Sequence, residues 1–247
     1  MKRRFRFTRT AAVVVMLVVV ASVVGVYFGL VQPTADRASC HARIWHVAWM
    51  LDQYQQNYGA YPPSVTYDRT GKAMHSWRVI VLKELQPELC SDYDLGQPWD
   101  SPDNQRLADK APHFFQCPQT TGPGVANYLL IVGDGALFSS PGHSRSLKDV
   151  TDPPGSTILL VECHNLNINW LEPRDLDLAT MSLEINDDNG PGISSRHRSG
   201  AAIVFADLRT IRLRRNDLTS ATLRGLITAN GGELPDPAAQ FPTEGQR

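Results

Sequence analysis

Residues 11–31 read AAVVVMLVVVASVVGVYFGLV, 21 residues without a charge. As a helix rising ~1.5 Å per residue this run is about 31 Å long, the hydrocarbon thickness of a bilayer. A helix is the form required, because lipid offers backbone N–H and C=O groups no other partners. Residues 1–10 carry Lys2, Arg3, Arg4, Arg6 and Arg9 and no acid. That asymmetry places the N-terminus in the cytoplasm and the chain after about residue 32 outside. A cleaved signal peptide has an apolar core of only ~7–15 residues followed by small residues at the cut. Val31-Gln32-Pro33-Thr34-Ala35 does not supply them, and Arg37, three residues before Cys40, excludes a lipobox. The expectation is an uncleaved single-pass anchor at 11–31, with the bilayer as its partner, after a basic cytoplasmic N-terminus at 1–10.

Beyond the anchor, Pro33 is expected to interrupt or bend the helix, with Thr34 capping a second run. Cys40, Ile44, Val47, Leu51, Tyr54 and Tyr58 then recur at spacings of 4, 3, 4, 3 and 4, one apolar stripe on a helix that packs on the body of the domain. Gly59 ends that helix. Residues 76–89 read as a short helix. Residues 113–117, 128–132 and 157–162 read as strands. Residues 201–206 and 210–213 form a hairpin, with Ile203, Phe205, Ile211 and Leu213 inward and Arg212 and Arg214 toward solvent. A last helix starts at Asn216 or Asp217, and Pro, Gln and Glu in 235–247 make a disordered tail. The fold class is α+β: a transmembrane helix and a long packing helix against an antiparallel β-sheet, with one exported domain over 34–234.

Composition narrows the function. The chain has 247 residues, 24 Lys plus Arg, 25 Asp plus Glu and a net charge of −1. Without the five basic residues of the N-terminus the remainder stands at −6, which excludes a dedicated nucleic-acid binder. Four cysteines (Cys40, Cys90, Cys117, Cys163) in an exported domain allow disulfides in any of three pairings. No C-x-x-C or Cys/His zinc spacing is present, so no metal site is expected from the cysteines.

The landmarks resemble a bacterial family of pilin-like proteins carrying the domain of unknown function DUF1559 and an "H-x9-DG" signature. The resemblance covers most of residues 36–234. It rests on CHARIWHVAWMLDQYQQNYGAYPP at 40–63, Ser76-Trp77-Arg78-Val79, QPWDSPDN at 97–104, Cys117-Pro118, TILLVE at 157–162, WLEPRDL at 170–176, His197 with Asp207, and Gly231-Gly232-Glu233. It implies a pilin-like fold and no established catalytic activity. Two departures matter. The leader cut after Gly, with Glu as the fifth mature residue, is missing, so the chain is expected to be neither processed as a prepilin nor built into a filament. The family's Asp-Gly is Asp207-Leu208 here; Leu at positive φ costs about 1 kcal/mol or more, so a longer or different turn is expected.

Chemical motifs are sparse. His197 and Asp207 are expected to act structurally, His197 capping a loop and Asp207 shaping the turn. Residues 185–190 (INDDNG) miss the first position of a calcium loop and read as a solvated turn. Ser144 lacks the second Gly of a nucleophile elbow, and Glu162 with Glu172 has no fixed separation. Trp99, Asp100, Asn104, Trp170, Glu172 and Arg174 are the material for a binding surface, since aromatic faces beside amides and carboxylates suit sugars or peptides. The competing role of Trp99 and Trp170 is to pin long loops to the sheet. The expectation is a membrane-anchored, exterior-facing, non-enzymatic protein without cofactor, with a structural, surface-assembly or secretion-associated role. Other pilin-like or secretion-system subunits are its expected partners. An exported glycan- or peptide-binding module is the alternative, and an exported hydrolase a weaker one.

Overall fold

The structure, a computed structural model, describes residues 9–120, 122–139, 142–143 and 145–231. The basic residues 1–8, Ser144 and the tail at 235–247 lie outside the described residues. Helix α1 (Arg9–Val26), a π-helical turn (Tyr27–Val31) and α2 (Gln32–Tyr58) follow one another without a break. Every side chain from 12 to 31 is exposed, although nearly all are apolar. From Cys40 onward one face is buried.

Pro33 therefore does not interrupt the helix. Proline in a helix lacks the N–H and in general crowds the carbonyl four residues back. The preceding π turn, in which Gln32 N–H donates to Tyr27 C=O, widens the backbone at that place. Thr34 is not a cap either; its hydroxyl donates back to Val31 C=O at 2.8 Å.

The stripe on α2 meets the domain as its spacing requires. Cys40, Ile44, Val47 and Leu51 are fully buried, while Tyr58 at the end is exposed and stacks on Tyr54. Gly59 closes the helix at φ 77°, where a glycine carries no Cβ penalty.

Strands β1 (Val65–Tyr67) and β2 (Ala73–Ser76) make a small antiparallel pair, and Ser76 caps α3 (Trp77–Leu85). A short α4 (Pro102–Gln105) follows. Then come β3 (Val125–Ala126), β4 (Tyr128–Leu129), β5 (Ile131–Val132), β6 (Ile158–Glu162), β7 (Ile168–Asn169), β8 (Leu176–Asp177), β9 (Ala201–Phe205), β10 (Thr210–Leu213) and α5 (Ser220–Ile227). The central sheet runs β10-β9-β6-β4, antiparallel throughout. Tyr128, Leu160, Ala202 and Val204 join the core shared with α2 and α3, while Val161, Ile203, Phe205, Ile211 and Leu213 join Leu223, Leu226 and Ile227 of α5. Alternation along β9 thus feeds two cores, which is why all five of its residues are buried.

Several local expectations change. Residues 113–117 are not a strand: His113–Phe115 is a 3₁₀ turn between Pro112 and Pro118, and the Phe114 and Phe115 rings bury without any strand partner. Residues 128–132 divide, β4 pairing with β6 and β5 pairing in parallel with β8. Arg212 does not point to solvent; its side chain is only 6% exposed and lies 3.4 Å from Glu162. The last helix starts at Ser220, capped by the Thr219 hydroxyl, three or four residues later than the expected start at Asp217 or Asn216. At the hairpin Leu208 does adopt φ 65°. Phe205 C=O accepts from Leu208 N–H and Phe205 N–H donates to Arg209 C=O, a three-residue loop whose last position is left-handed. Leu208 packs on the α2 core, which offsets the strain. Asp207 Oδ1 accepts from Arg209 N–H at 3.0 Å and shapes the turn as expected.

One buried ion pair ties distant segments. Arg78 on α3 is fully buried, and its Nη2 lies 2.7 Å from Asp175 Oδ1, just before β8. The Trp77 indole and the Leu130 N–H also donate to that carboxylate.

Candidate functional site

The sequence-selected binding residues do not form one surface. Trp170 is 1% exposed; its indole donates to Leu107 C=O at 3.0 Å and its ring stacks with Phe115. Asn104 is fully buried in α4. Its Nδ2 donates to Asp94, Gln97 and Pro98 carbonyls at 3.0–3.1 Å, and its Oδ1 accepts from Asp94 N–H at 2.8 Å. Both residues hold loops rather than face solvent. Trp99 is half-buried against the core, Asp100 pairs with Lys72 at 3.4 Å, and Glu172 pairs with Arg174 at 2.7 Å. We expect Asn104→Ala to lower unfolding free energy by about 2–3 kcal/mol, because several buried loop groups lose their partner at once. Urea denaturation checks this, and a loss below about 0.5 kcal/mol would contradict it.

The acidic turn at 185–190 is held by its own side chains and by Arg215. Asp187 Oδ1 accepts from Asn189 N–H at 3.0 Å, and Asp188 pairs with Arg215 at 3.0 Å.

A different group of residues converges inside the domain. The ligand atoms of Cys40, Cys117, Glu162 and His197 lie within 4.8 Å of one another, and all four residues are buried. Each comes from a separate part of the fold. Cys40 is the first fully buried residue of α2. Cys117 follows the 3₁₀ turn, and its loop is fastened by Arg43 Nη1 donating to Gln116 C=O at 2.8 Å and by Asn127 Oδ1 accepting from Cys117 N–H at 2.9 Å. Glu162 ends β6. His197 sits in the loop before β9, where its imidazole points to Cys117 rather than capping the loop: Nε2 is 3.2 Å from Sγ.

The electrostatics are tightly coupled. The neighbouring Cys117 sulfur, with help from His197 and Tyr128, outweighs burial and lowers the Cys40 pKa to about 5. The Cys40 sulfur beside it, with burial, pushes the Cys117 thiol up. Burial raises the Glu162 pKa, yet His164, Arg212 and the Ala202 N–H together hold it below its ordinary value. Tyr128 donates to Cys40 C=O and Sγ at 3.2 and 3.3 Å. Ser195 Oγ donates to Glu162 Oε1 at 2.8 Å and accepts from His197 N–H at 3.1 Å.

All four cysteines are free thiols and buried in this structure. Spacing along the chain does not reveal the cluster, since its members stand far apart in sequence. A signal was present in another form: Cys40, Cys117 and His197 each anchor one of the short motifs quoted above, and each is a residue type that binds metals.

No curated protein and no solved structure matches the chain. A family model described as a protein of unknown function (DUF1559) matches residues 32–159, a span that contains α2, Cys40 and Cys117 and ends within β6. That match covers about half of the chain and agrees with the motifs at 40–63, 76–79 and 97–104: the protein belongs to the DUF1559 family.

Proposed function

We propose that this protein is a pilin-like, membrane-anchored structural component of the outer side of the cytoplasmic membrane, with a scaffolding rather than catalytic role. The supporting observation is the helix that runs from 12 to 58. Its first part exposes an uninterrupted apolar surface, while its second buries a stripe against an antiparallel sheet. About twenty apolar residues exposed to water would be costly, at roughly 25 cal/mol per Å², whereas in a bilayer they need no protein partner. A helix that is continuous through the interface couples the domain rigidly to the membrane, which suits a part that holds position. The basic N-terminal arm supports the orientation.

Full-length protein should remain in the membrane pellet after alkaline carbonate extraction, and its C-terminal domain should be digested by protease added to intact spheroplasts. A variant lacking residues 11–31 should be released. Extraction of the full-length chain by carbonate, or protection of its domain from the protease, would defeat the proposal. Cross-linking in membranes addresses the role: captured pilin-like or secretion-system subunits support scaffolding.

A further inference from the structure

We propose that Cys40, Cys117, His197 and Glu162 form a zinc(II) site that fastens the membrane-proximal part of α2 to the central sheet. The four side chains are the donor types that zinc accepts, and they converge from four separate segments into a buried space. In a tetrahedral site with Zn–S ≈ 2.3 Å and Zn–N or Zn–O of ~2.0–2.2 Å, neighbouring ligand atoms stand about 3.3–3.8 Å apart. The present cluster, with every ligand atom within 4.8 Å of the others and Nε2 at 3.2 Å from Cys117 Sγ, closes onto such a centre with side-chain adjustments.

Charge selects the ion. The Glu162 carboxylate already faces the Arg212 guanidinium at 3.4 Å, and both side chains are nearly dehydrated. Two cysteine thiolates then require a dication, and binding it displaces the thiol protons to solvent. Thiolate and imidazole ligands favour zinc over the oxygen-preferring magnesium and calcium. The outer contacts are also those a metal site needs. Tyr128 donates to Cys40 Sγ, Asn127 fixes the Cys117 backbone, and Ser195 links Glu162 to the His197 backbone.

A Cys40–Cys117 disulfide is the rival arrangement. It would neutralise the sulfurs toward which Tyr128 and His197 are directed, leaving the imidazole nitrogen against a weak acceptor and the hydroxyl with the Cys40 carbonyl alone. The consequence of zinc is mechanical. Cys40 lies nine residues beyond Val31, about 14 Å along the helix, and among the four ligands it alone belongs to α2. The ion would clamp the helix to the domain close to the membrane surface.

The test uses the full-length chain purified in detergent under mild reduction. Elemental analysis should find about one zinc per chain, removable by chelator and restored by added zinc. Cys40→Ser and Cys117→Ser should lose the ion, while Cys90→Ser and Cys163→Ser keep it. Cobalt added to the stripped wild-type chain should produce a thiolate-to-cobalt charge-transfer band that Cys117→Ser lacks. The wild-type result decides even if a variant fails to fold. A zinc-free chain after zinc addition overturns the proposal, whether thiol titration in denaturant finds four thiols or only two.

Discussion

Asp175→Ala is expected to lower the free energy of unfolding by about 3–5 kcal/mol, as is Arg78→Ala, because each strands a dehydrated charge. The pair is 2.7 Å apart with side chains 0% and 1% exposed. Arg78 has two further nitrogens, Nε and Nη1, buried without an acceptor among the described residues, so its tolerance for losing the carboxylate is small. Burial pushes the Arg78 pKa down and the Asp175 pKa up, each toward its neutral form, although each partner pulls the other back. Dehydration of both groups opposes their mutual attraction. A double replacement, Arg78→Met with Asp175→Leu, should therefore be far milder than the sum of the single changes, and close to neutral. Urea denaturation of the four proteins in detergent measures the cycle. Additive losses, or single losses below about 1 kcal/mol, would show that the pair is not a closed buried unit.

Trp170→Ala should cost about 3–5 kcal/mol, the range for removing a large buried aromatic side chain. The ring is 1% exposed, stacks with Phe115 at 6.4 Å between centroids, and its indole satisfies Leu107 C=O. Three consequences coincide: a cavity, a lost ring contact and an orphaned carbonyl. Trp99→Ala, at a half-buried position, should cost about 1 kcal/mol. The contrast separates packing from recognition. If Trp170→Ala left stability intact but abolished binding on a glycan array, the ring would be a ligand contact and its interior position would be wrong.

The motifs of this chain make more sense in pairs than singly. Ser76-Trp77-Arg78-Val79 and the WLEPRDL segment at 170–176 stand about a hundred residues apart, yet Trp77 and Arg78 both bond Asp175. Cys40, Cys117 and His197 come from three other motifs and meet at one point. Read along the chain, each motif suggested a turn, a cap or a packing residue. None carried an indication of which other motif it would touch. For Trp170 the expected role that the structure shows is the pinning of a long loop. Aromatic and amide side chains in polar stretches resembled a surface, but Asn104 and Trp170 are used to hold long loops.

The apolar run at 11–31, the stripe on α2, the stop at Gly59 and the hairpin of β9 and β10 were determined by the sequence alone. Each depends on hydropathy period, charge or backbone preference within a few helical turns or strand positions, and such quantities are properties of neighbouring residues. The burial of Arg212, the positive φ of Leu208 and the convergence on Cys40 were decided only by the tertiary structure. Their energies come from groups remote in sequence: a glutamate at the end of β6 for Arg212, a core for Leu208, three separate segments for Cys40. Contacts of that kind exist only after the sheet and α2 have packed.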